Sequence, residues 1–480
     1  MFQRLVPSQI YGQVIGPAMP RALQERHGDK IASLLAKADA VATGRDETAV
    51  SQRTAVFVFA LRIVSALIAY VSQVLMARWL GSYEYGVFVW VWTMAVICGG
   101  LACIGFPSAI VRFIPEYRLA KDSDSLRGVI FGSRFYAFMA ATGLATLGLL
   151  ALVAFQDMVT ADYVMPFFLA AVCLPVLALG DVQEGVARAF NWMNLALSPK
   201  FLIRPVLILV AMVGALALGW PATATTAMGA TIVAVWVTSV GQMIAVNMKL
   251  SKVVEAGPRR MSPKKWVLIS LPIFLVEGFY VLLTNVDILI AGFYLPAEEV
   301  AVYFAAVKTL ALVHFVYYAV RAASAHRYAH FFNAGDRAAY QDYVRNTVQW
   351  TFWPSLGMAV IILAVGQFLL MLFGEGFANG YPLLFILVIG IVARSSVGPA
   401  ESVLTMSGQQ KTCAAVYALA LLVNVGLNVS LIPLFGLYGA AWATTCAMIF
   451  EALALYSLAR RRLDLHMFIF FNTASSLRGG

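Results

Sequence analysis

The sequence predicts an all-α polytopic membrane protein of about twelve transmembrane helices, arranged as two pseudo-symmetric six-helix lobes around a central cavity. Three observations predict this fold class: an apolar composition, twelve apolar segments of membrane-spanning length, and an internal repeat. Of the 480 residues, 61% are hydrophobic and 12% are charged, and the mean hydropathy is +0.81. Because about a quarter of the residues in a soluble protein are charged, lipid must surround most of this chain.

The charge and cysteine patterns exclude several other classes. The net charge of +10 follows the membrane topology described below, so we expect no nucleic-acid partner. The five cysteines lie within apolar stretches and lack the spacing of metal ligands. The sequence contains no Walker-type nucleotide loop. We therefore expect a protein that is not an enzyme, with no catalytic residues, no metal site and no cofactor, apart from H⁺ or Na⁺ as a candidate coupling ion.

Twelve apolar segments are long enough to cross a bilayer, which needs about 20 residues per helix. The six spans of the first half are predicted at residues 54–77, 86–108, 129–155, 162–187, 199–218 and 222–247. The six spans of the second half are predicted at residues 266–292, 300–321, 346–372, 381–406, 412–432 and 438–459.

Lys and Arg residues are concentrated on one side of the predicted membrane. They cluster before span 1, after span 12, and in the connections between spans 2 and 3, 6 and 7, and 8 and 9. The connections on the other side contain Arg78 as their one basic residue, beside several acidic residues. By the positive-inside rule, both termini face the cytoplasm, and the protein is expected to be a multi-pass protein of the cell inner membrane.

Four segments follow from these spans. They are a cytoplasmic N-terminal tail at 1–53, an N-lobe with spans 1–6 at 54–255, a C-lobe with spans 7–12 at 256–460, and a cytoplasmic C-terminal tail at 461–480. Residues 30–42 of the N-terminal tail place their apolar side chains on one helical face. This pattern fits either an amphipathic helix on the membrane surface or a weakly ordered tail.

The two halves of the sequence resemble each other at an offset of about 215 residues. LMARWLGSYEYGVF from Leu75 aligns with LIAGFYLPAEEVAVYF from Leu289, and GDVQEGVARAF from Gly180 aligns with VGPAESVLTMS from Val397, which matches Glu184 to Glu401. Six spans are an even number, so both repeats enter the membrane in the same orientation. The repeat predicts a transporter with its path between the two halves.

Several segments in a specific order resemble the polysaccharide transporter (oligosaccharide flippase) family. They are ARWLGSYEYGVFVWVWTMAV and IGFPSAIVRFIPEY in the first half, and SLPIFLVEGFYVLLTNVDILIAGFYLPAEEVAVYFAAVKTL, FGEGFANGYPLLFILVIG, LTMSGQQK and NVGLNVSLIPLFGLYGAAWATTCAM in the second. The family belongs to the multidrug/oligosaccharidyl-lipid/polysaccharide exporter superfamily. The similarity covers roughly residues 54–460.

This resemblance implies a flippase that moves an undecaprenyl-pyrophosphate-linked oligosaccharide repeat unit for exopolysaccharide, capsule or O-antigen biosynthesis. The implied partners are the polyprenyl-pyrophosphate-linked glycan and membrane lipids, with a polysaccharide polymerase and export machinery as further candidates. The alternative is an ion-coupled multidrug exporter of the same superfamily. Arg62 stands in span 1, where such exporters often carry an acidic ion site. A polymerase would need a large outer loop, which the short connections exclude.

Charged residues inside the predicted spans are the best candidates for a site, because a charge at the bilayer centre costs about 2.5–3.5 kcal/mol on insertion scales. Arg62, Lys308 and Arg394 are predicted to bind the pyrophosphate, which Arg and Lys recognise by charge-assisted hydrogen bonds. Alternatively, Arg62 could snorkel to the interface, and Arg394 could satisfy backbone carbonyls of a neighbouring helix.

Two acidic residues and a proline complete the predicted site. Glu277 and Asp287 are candidates for ion coupling or gating, although Asp287 could equally serve packing. Glu277 and Lys308 lie at similar depths on adjacent spans and could form an ion pair with each other. Pro272 is a candidate hinge or a static kink, because proline removes a helical hydrogen bond.

Overall fold

The computed structural model describes residues 47–334 and 336–470, and nearly all of them are helical. Contacts divide the chain into two compact units, residues 1–65 and 66–480. The described part of the first unit is helical and forms the start of helix α1, Glu47–Ala102. The amphipathic segment predicted at residues 30–42 lies outside the described residues.

The second unit contains two successive sets of helices, here called the N-half (residues 66–255) and the C-half (residues 256–470). The N-half contains the rest of α1, then α2 (Phe106–Leu119), α3 (Ser123–Ala154), α4 (Ala161–Ala189), α5 (Met193–Ser198), α6 (Arg204–Ala217) and α7 (Ala224–Leu250). A π-helical turn, Pro199–Ile203, joins α5 to α6.

The described residues of the C-half form nine α-helices, short connections and a 3-10 helix, Phe377–Gly380. The α-helices are α8 (Pro263–Leu283), α9 (Val286–Tyr294), α10 (Ala297–Leu310), α11 (His314–Ala334), α12 (Arg337–Met371), α13 (Tyr381–Ser395), α14 (Ala400–Met406), α15 (Gln410–Phe435) and α16 (Leu437–Leu463).

The predicted fold class is confirmed, because every predicted span coincides with helical segments and the described ranges contain no strand. Ten helical stretches are long and apolar enough to cross a membrane. The number is below twelve for two reasons. Spans 1 and 2 fall in one stretch of 59 residues, Leu61–Leu119. A turn at residues 311–313 divides span 8 into α10 and α11. Neither helix is both long enough and apolar enough to be counted as a membrane-crossing helix.

Corresponding breaks in the two halves agree with the repeat. Helix α1 is kinked at Gly81, which has φ 76° and ψ 172°. This backbone conformation suits glycine because it has no Cβ. The corresponding position in the second repeat is Leu295, at the break between α9 and α10, where Pro296 follows and cannot continue the hydrogen bonding of α9.

Within each half, the helices pack against their neighbours in the repeat. In the N-half, α4 contacts α2, α3 and α7, and in the C-half, α16 contacts α13 and α15. Many of the packed positions are small or β-branched residues, such as Ala178, Ala227 and Ala441, which are fully buried. Small residues let helices approach closely in lipid, where packing contributes most to association.

The two halves contact each other at both ends. We call the end where α2 and α7 terminate the basic end, because Arg118, Arg127, Lys249, Arg260 and Lys265 lie there. Towards the opposite end, a Cβ on Gly86 would lie 1.8 Å from the carbonyl oxygen of Ala297. There, the indole of Trp90 also donates a 3.0 Å hydrogen bond to the Leu289 carbonyl. Deeper in the unit, α2 packs on α8.

Part of the predicted C-terminal tail packs on the C-half. Helix α16 ends at Leu463, and the backbone N–H of His466 donates to the Gln341 side chain at 2.8 Å. The N–H of Ile469 donates to the Ser396 carbonyl at 3.0 Å, and Met467 is fully buried. Residues 464–470 therefore belong to the folded C-half.

Candidate functional site

Two cavities within the second unit are lined by charged side chains. The first, here called the charged cavity, has a volume of about 450 Å³ and lies between the halves; its charged residues are Asp181, Glu184, Arg188, Lys200, Glu277, Arg321 and Glu401. The second, here called the C-half cavity, has a volume of about 400 Å³; its polar residues include Asn285, Asp287, Lys308, His314, Arg394, Asn424, Thr444 and Glu451. Tyr280 lines both cavities.

The N-half wall of the charged cavity is a connected set of ion pairs. The ammonium of Lys200 lies 2.7 Å from Asp181 and 3.4 Å from Glu184. Arg188 lies 3.7 Å from Glu184. Lys200 belongs to the π-helical turn Pro199–Ile203. Such turns re-aim side chains and are frequent at functional sites.

The C-half wall of the charged cavity contains one ion pair and two unsatisfied oxygens. Arg321 lies 3.0 Å from Glu401 Oε1. Glu401 Oε2 and the hydroxyl of Tyr417 are buried and have no hydrogen-bond partner in the described part of the chain. The ring of Tyr417 packs edge-on against Tyr280, with 5.9 Å between the ring centroids.

The expected ion pair between Glu277 and Lys308 does not form. Glu277 lies in the charged cavity and accepts a hydrogen bond from Ser108 of α2, so it contacts the opposite half. Lys308 lines the C-half cavity instead. Equal depth on adjacent helices does not determine the rotation of each helix about its axis, and this rotation directs the two side chains into different cavities.

Lys308 combines a central position with an uncompensated charge. Its ammonium lies 4.8 Å from the centre of the Phe304 ring. No carboxylate of the described residues lies within 4.0 Å of it. Lys308 and Asn285 also line a third cavity of about 400 Å³, which extends to Tyr70 and Gln73 of the N-half. The Lys308 charge therefore faces the space between the halves as well as the C-half cavity.

Arg394 has a carboxylate partner that the sequence did not indicate. Its guanidinium lies 3.1 Å from Glu451 of α16, and the two side chains are 12% and 2% exposed. It also lies over the ring of Tyr317, 5.0 Å from the centroid. The partner of Arg394 is thus the carboxylate of Glu451, and not the backbone carbonyls of a neighbouring helix that the sequence analysis considered. The charge of Arg394 is largely compensated before any ligand binds.

Asp287 is buried at the start of α9, where it is 3% exposed. Its carboxylate accepts hydrogen bonds from the hydroxyl of Tyr303 at 2.8 Å and the hydroxyl of Thr444 at 3.2 Å. The backbone N–H of Ile288 donates a third at 2.9 Å. A carboxylate held by hydroxyl donors in a cavity wall can receive a proton or a small cation, since hydroxyl oxygens can turn to act as ligands.

Arg62 and Pro272 are not among the residues that line these cavities. Arg62 belongs to the first unit, on α1, and its side chain is exposed; its proposed role stays a prediction. Helix α8 continues through Pro272, and span 7 is interrupted only at residues 284–285, between α8 and α9. The role of Pro272 as a hinge also stays a prediction.

Six charged residues of the charged cavity were missed as site residues: Asp181, Glu184, Arg188, Lys200, Arg321 and Glu401. The match between Glu184 and Glu401 in the repeat was the available signal. Arg321 lies in a basic cluster attributed above to topology. Charges within two or three turns of a span end are ambiguous in a sequence, because they can either reach the interface or line a cavity.

A repeated helical bundle whose intramembrane charges line cavities within and between its halves defines a membrane transporter. A family model described as polysaccharide biosynthesis protein matches residues 52–324, and a MatE model matches residues 272–430. The chain belongs to the polysaccharide biosynthesis protein family, whose model matches more than half of its residues. Among curated proteins, no similar sequence is found.

Solved transporters share the fold. An inward-facing multidrug resistance MATE family transporter has a TM-score of 0.67 at 15% identity, over 83% of this chain and 94% of that chain. The lipid II flippase MurJ in an inward closed conformation has a TM-score of 0.67 at 15% identity, over 84% and 87%. A superfamily transporter from Pyrococcus furiosus has a TM-score of 0.60 at 15% identity, over 85% and 95%. This chain is therefore a multi-pass membrane protein with the MATE and MurJ fold.

Proposed function

We propose that the protein is a flippase that translocates an undecaprenyl-pyrophosphate-linked oligosaccharide repeat unit across the inner membrane by alternating access. The glycan serves exopolysaccharide, capsule or O-antigen biosynthesis. Membership of the polysaccharide biosynthesis family supports the substrate class. The observation that carries the proposal is the position of Lys308, an uncompensated cation where the C-half cavity meets the space between the halves.

A pyrophosphate must lose its hydration shell on entering the protein, and a Lys ammonium can replace part of that shell. Lys308 is suited to this role because no carboxylate competes for it within 4.0 Å in the described residues. Asn285 lines the same two cavities and offers amide donors. Arg394 reaches the ligand only if its pair with Glu451 rearranges, and Arg62 remains a further candidate from the first unit.

Alternating access requires that one end of the path closes while the other opens. Near the end opposite the basic end, the backbones of Gly86 and Ala297 are in close contact. The interruption of span 7 at residues 284–285 includes Asn285 and lies two residues before Asp287. A change in this segment would couple ligand binding in the C-half cavity to the packing of α9 and α10, and binding of H⁺ or Na⁺ at Asp287 would supply the driving force.

The proposal is tested with purified full-length protein in proteoliposomes that contain an undecaprenyl-pyrophosphate-linked oligosaccharide. Transfer of the glycan between leaflets is measured by its accessibility to a glycosidase added outside. We expect transfer by the native protein and none by Lys308→Ala. Equal transfer by liposomes with and without the native protein would contradict the proposal.

The MatE match over residues 272–430 favours a second candidate, an ion-coupled multidrug exporter. An exporter of organic cations would need a carboxylate free to meet its substrate, whereas the Asp287 carboxylate accepts three hydrogen bonds and Lys308 adds a positive charge to the same cavity. Proton- or sodium-driven efflux of a fluorescent organic cation from the same proteoliposomes, with no glycan transfer, would favour the exporter.

A further inference from the structure

The charged cavity differs in chemistry from the surroundings of Lys308. It contains four carboxylates and three cations, so one negative charge is in excess. Each of its cations lies within 4.0 Å of a carboxylate: Lys200 and Arg188 on the N-half wall, and Arg321 on the C-half wall. A pyrophosphate that entered this cavity would have to break these pairs and would face the excess negative charge.

Two oxygen atoms on the C-half wall of this cavity have no hydrogen-bond partner among the described residues. The hydroxyl of Tyr417 is one, and this residue is only 1% exposed. Glu401 Oε2 is another, and it lies on the same wall. A buried polar group without a hydrogen bond is costly, and native proteins rarely leave one without a ligand or a water molecule. The unsatisfied atoms comprise both a donor and an acceptor, so the complementary ligand carries both kinds of group.

Sugar hydroxyls meet this requirement, because each both donates and accepts hydrogen bonds. The carboxylates of Glu184, Glu277 and Glu401 line the cavity and can accept hydrogen bonds from such hydroxyls, and the guanidinium groups of Arg188 and Arg321 can donate to them. Tyr280 and Tyr417 add apolar ring surface beside these polar groups. Such rings accommodate the C–H faces of a sugar while their hydroxyls bond its polar rim.

We propose that the charged cavity binds the sugar portion of the carried lipid, and that the sugars bound there are neutral or amino sugars and not uronic acids. This inference rests on the proposed function. The two parts of the substrate then occupy adjacent places, because Tyr280 lines both the charged cavity and the C-half cavity that contains Lys308. The pyrophosphate lies near Lys308, and the glycan extends past Tyr280 into the charged cavity.

The test uses full-length protein in lipid nanodiscs and three probes. They are undecaprenyl pyrophosphate without a sugar, the same lipid with a neutral disaccharide of N-acetylglucosamine and glucose, and the same lipid with glucuronic acid in place of glucose. Dissociation constants are measured by native mass spectrometry. The native protein is expected to bind the neutral glycolipid about tenfold more tightly than the glucuronic acid form, because an added carboxylate meets an excess of like charge.

Two variants test the residues that carry the inference. Glu401→Gln removes one carboxylate charge and keeps the shape of the side chain, so the preference is expected to fall to about threefold or less. Tyr417→Phe removes the unsatisfied hydroxyl, so affinity for the neutral glycolipid is expected to fall about fivefold. Binding of the sugar-free lipid is expected to stay unchanged in both variants.

Matched controls are available outside the cavities. Glu116→Gln removes a carboxylate that pairs with Lys265 at 3.1 Å at the basic end. Tyr381→Phe removes a hydroxyl that donates to the Leu363 carbonyl at 2.8 Å. Neither change is expected to alter the preference between the two glycolipids. If Glu401→Gln does not fold, the preference of the native protein and the effect of Tyr417→Phe decide the question.

The outcomes separate this inference from the proposed function. Equal binding of the two glycolipids, or tighter binding of the glucuronic acid form, overturns the inference. The flippase proposal still stands in that case, provided that all three lipids bind. An unchanged affinity in Tyr417→Phe also overturns it. If none of the three lipids binds the native protein, the proposed function fails, and the inference fails with it.

Discussion

Glu184 and Glu401 occupy corresponding positions in the two sequence repeats, and both side chains line the charged cavity. Each pairs with a cation of its own half: Glu184 with Lys200 at 3.4 Å and Glu401 with Arg321 at 3.0 Å. Each repeat thus contributes one glutamate to the cavity wall, although the cations that pair with the two glutamates come from non-corresponding positions. In a transporter whose halves move against each other, pairs within a half can persist while contacts between the halves change.

Replacement of Lys308 by alanine is expected to abolish glycan export, because it removes the uncompensated cation proposed to bind the pyrophosphate. Lys308→Arg keeps the charge and is expected to retain part of the export. Export is measured as surface glycan in cells that produce normal amounts of the protein. Lys252→Ala, at an exposed lysine near the basic end, is the matched control. Full export by Lys308→Ala would show that this charge is not needed.

Replacement of Asp287 by asparagine is expected to uncouple transport from the ion gradient. Asparagine can still accept hydrogen bonds from Tyr303 and Thr444, but it carries no charge that H⁺ or Na⁺ could neutralise. The measurement is glycan transfer in proteoliposomes with and without a proton or sodium gradient. Asp157→Asn, at an exposed aspartate, is the control. A gradient effect in Asp287→Asn equal to that of the native protein would exclude Asp287 as the coupling site.

Replacement of Glu451 by alanine is expected to lower the free energy of unfolding by about 3–5 kcal/mol, because Arg394 is left as a buried charge without its partner. The double variant Arg394→Met/Glu451→Leu removes both charges and is expected to recover most of this loss. Thermal unfolding in detergent measures both effects. Normal export by the stable double variant would identify Arg394 as a structural residue, and loss of export would support its predicted contact with substrate.

Replacement of Gly86 by alanine is expected to weaken the closed contact between the halves, because the added Cβ would lie 1.8 Å from the Ala297 carbonyl oxygen. Spin labels on Asp157→Cys in the N-half and Glu375→Cys in the C-half report the separation at that end. This separation is expected to increase in the Gly86→Ala protein. Gly229→Ala is the control, since a Cβ there meets no atom within 4 Å. An unchanged separation would contradict the role assigned to this contact.

The fold could be predicted because its evidence is local in the sequence. Each span is recognised by its own length and apolarity, which the bilayer thickness sets. In the repeat, Gly81 at the kink of α1 corresponds to Leu295 at the break before α10, and Glu184 corresponds to Glu401. The division of span 8 could not be predicted, because residues 311–313, which form the turn between α10 and α11, are as apolar as a continuous span.

The site could be predicted only in part. Lys308, Asp287 and Arg394 were recognised as costly intramembrane charges, and all three line the C-half cavity. Their partners were not recognised, since Glu451 lies on a helix two spans after that of Arg394. Depth along a span can be counted from the sequence at about 1.5 Å per residue. The direction in which a side chain points cannot be obtained in this way, because packing against neighbouring helices sets the rotation of each helix about its axis.

The sequence by itself determined that this protein is a helical membrane protein built from two similar halves, because hydropathy, span length and repetition are properties of consecutive residues. Only the tertiary structure decided which charges share a cavity. It placed Glu277 beside Ser108 and away from Lys308, paired Arg394 with Glu451, and left Lys308 uncompensated. These relationships depend on the packing of helices that are distant in the sequence, and packing sets both the rotation of each helix and its neighbours.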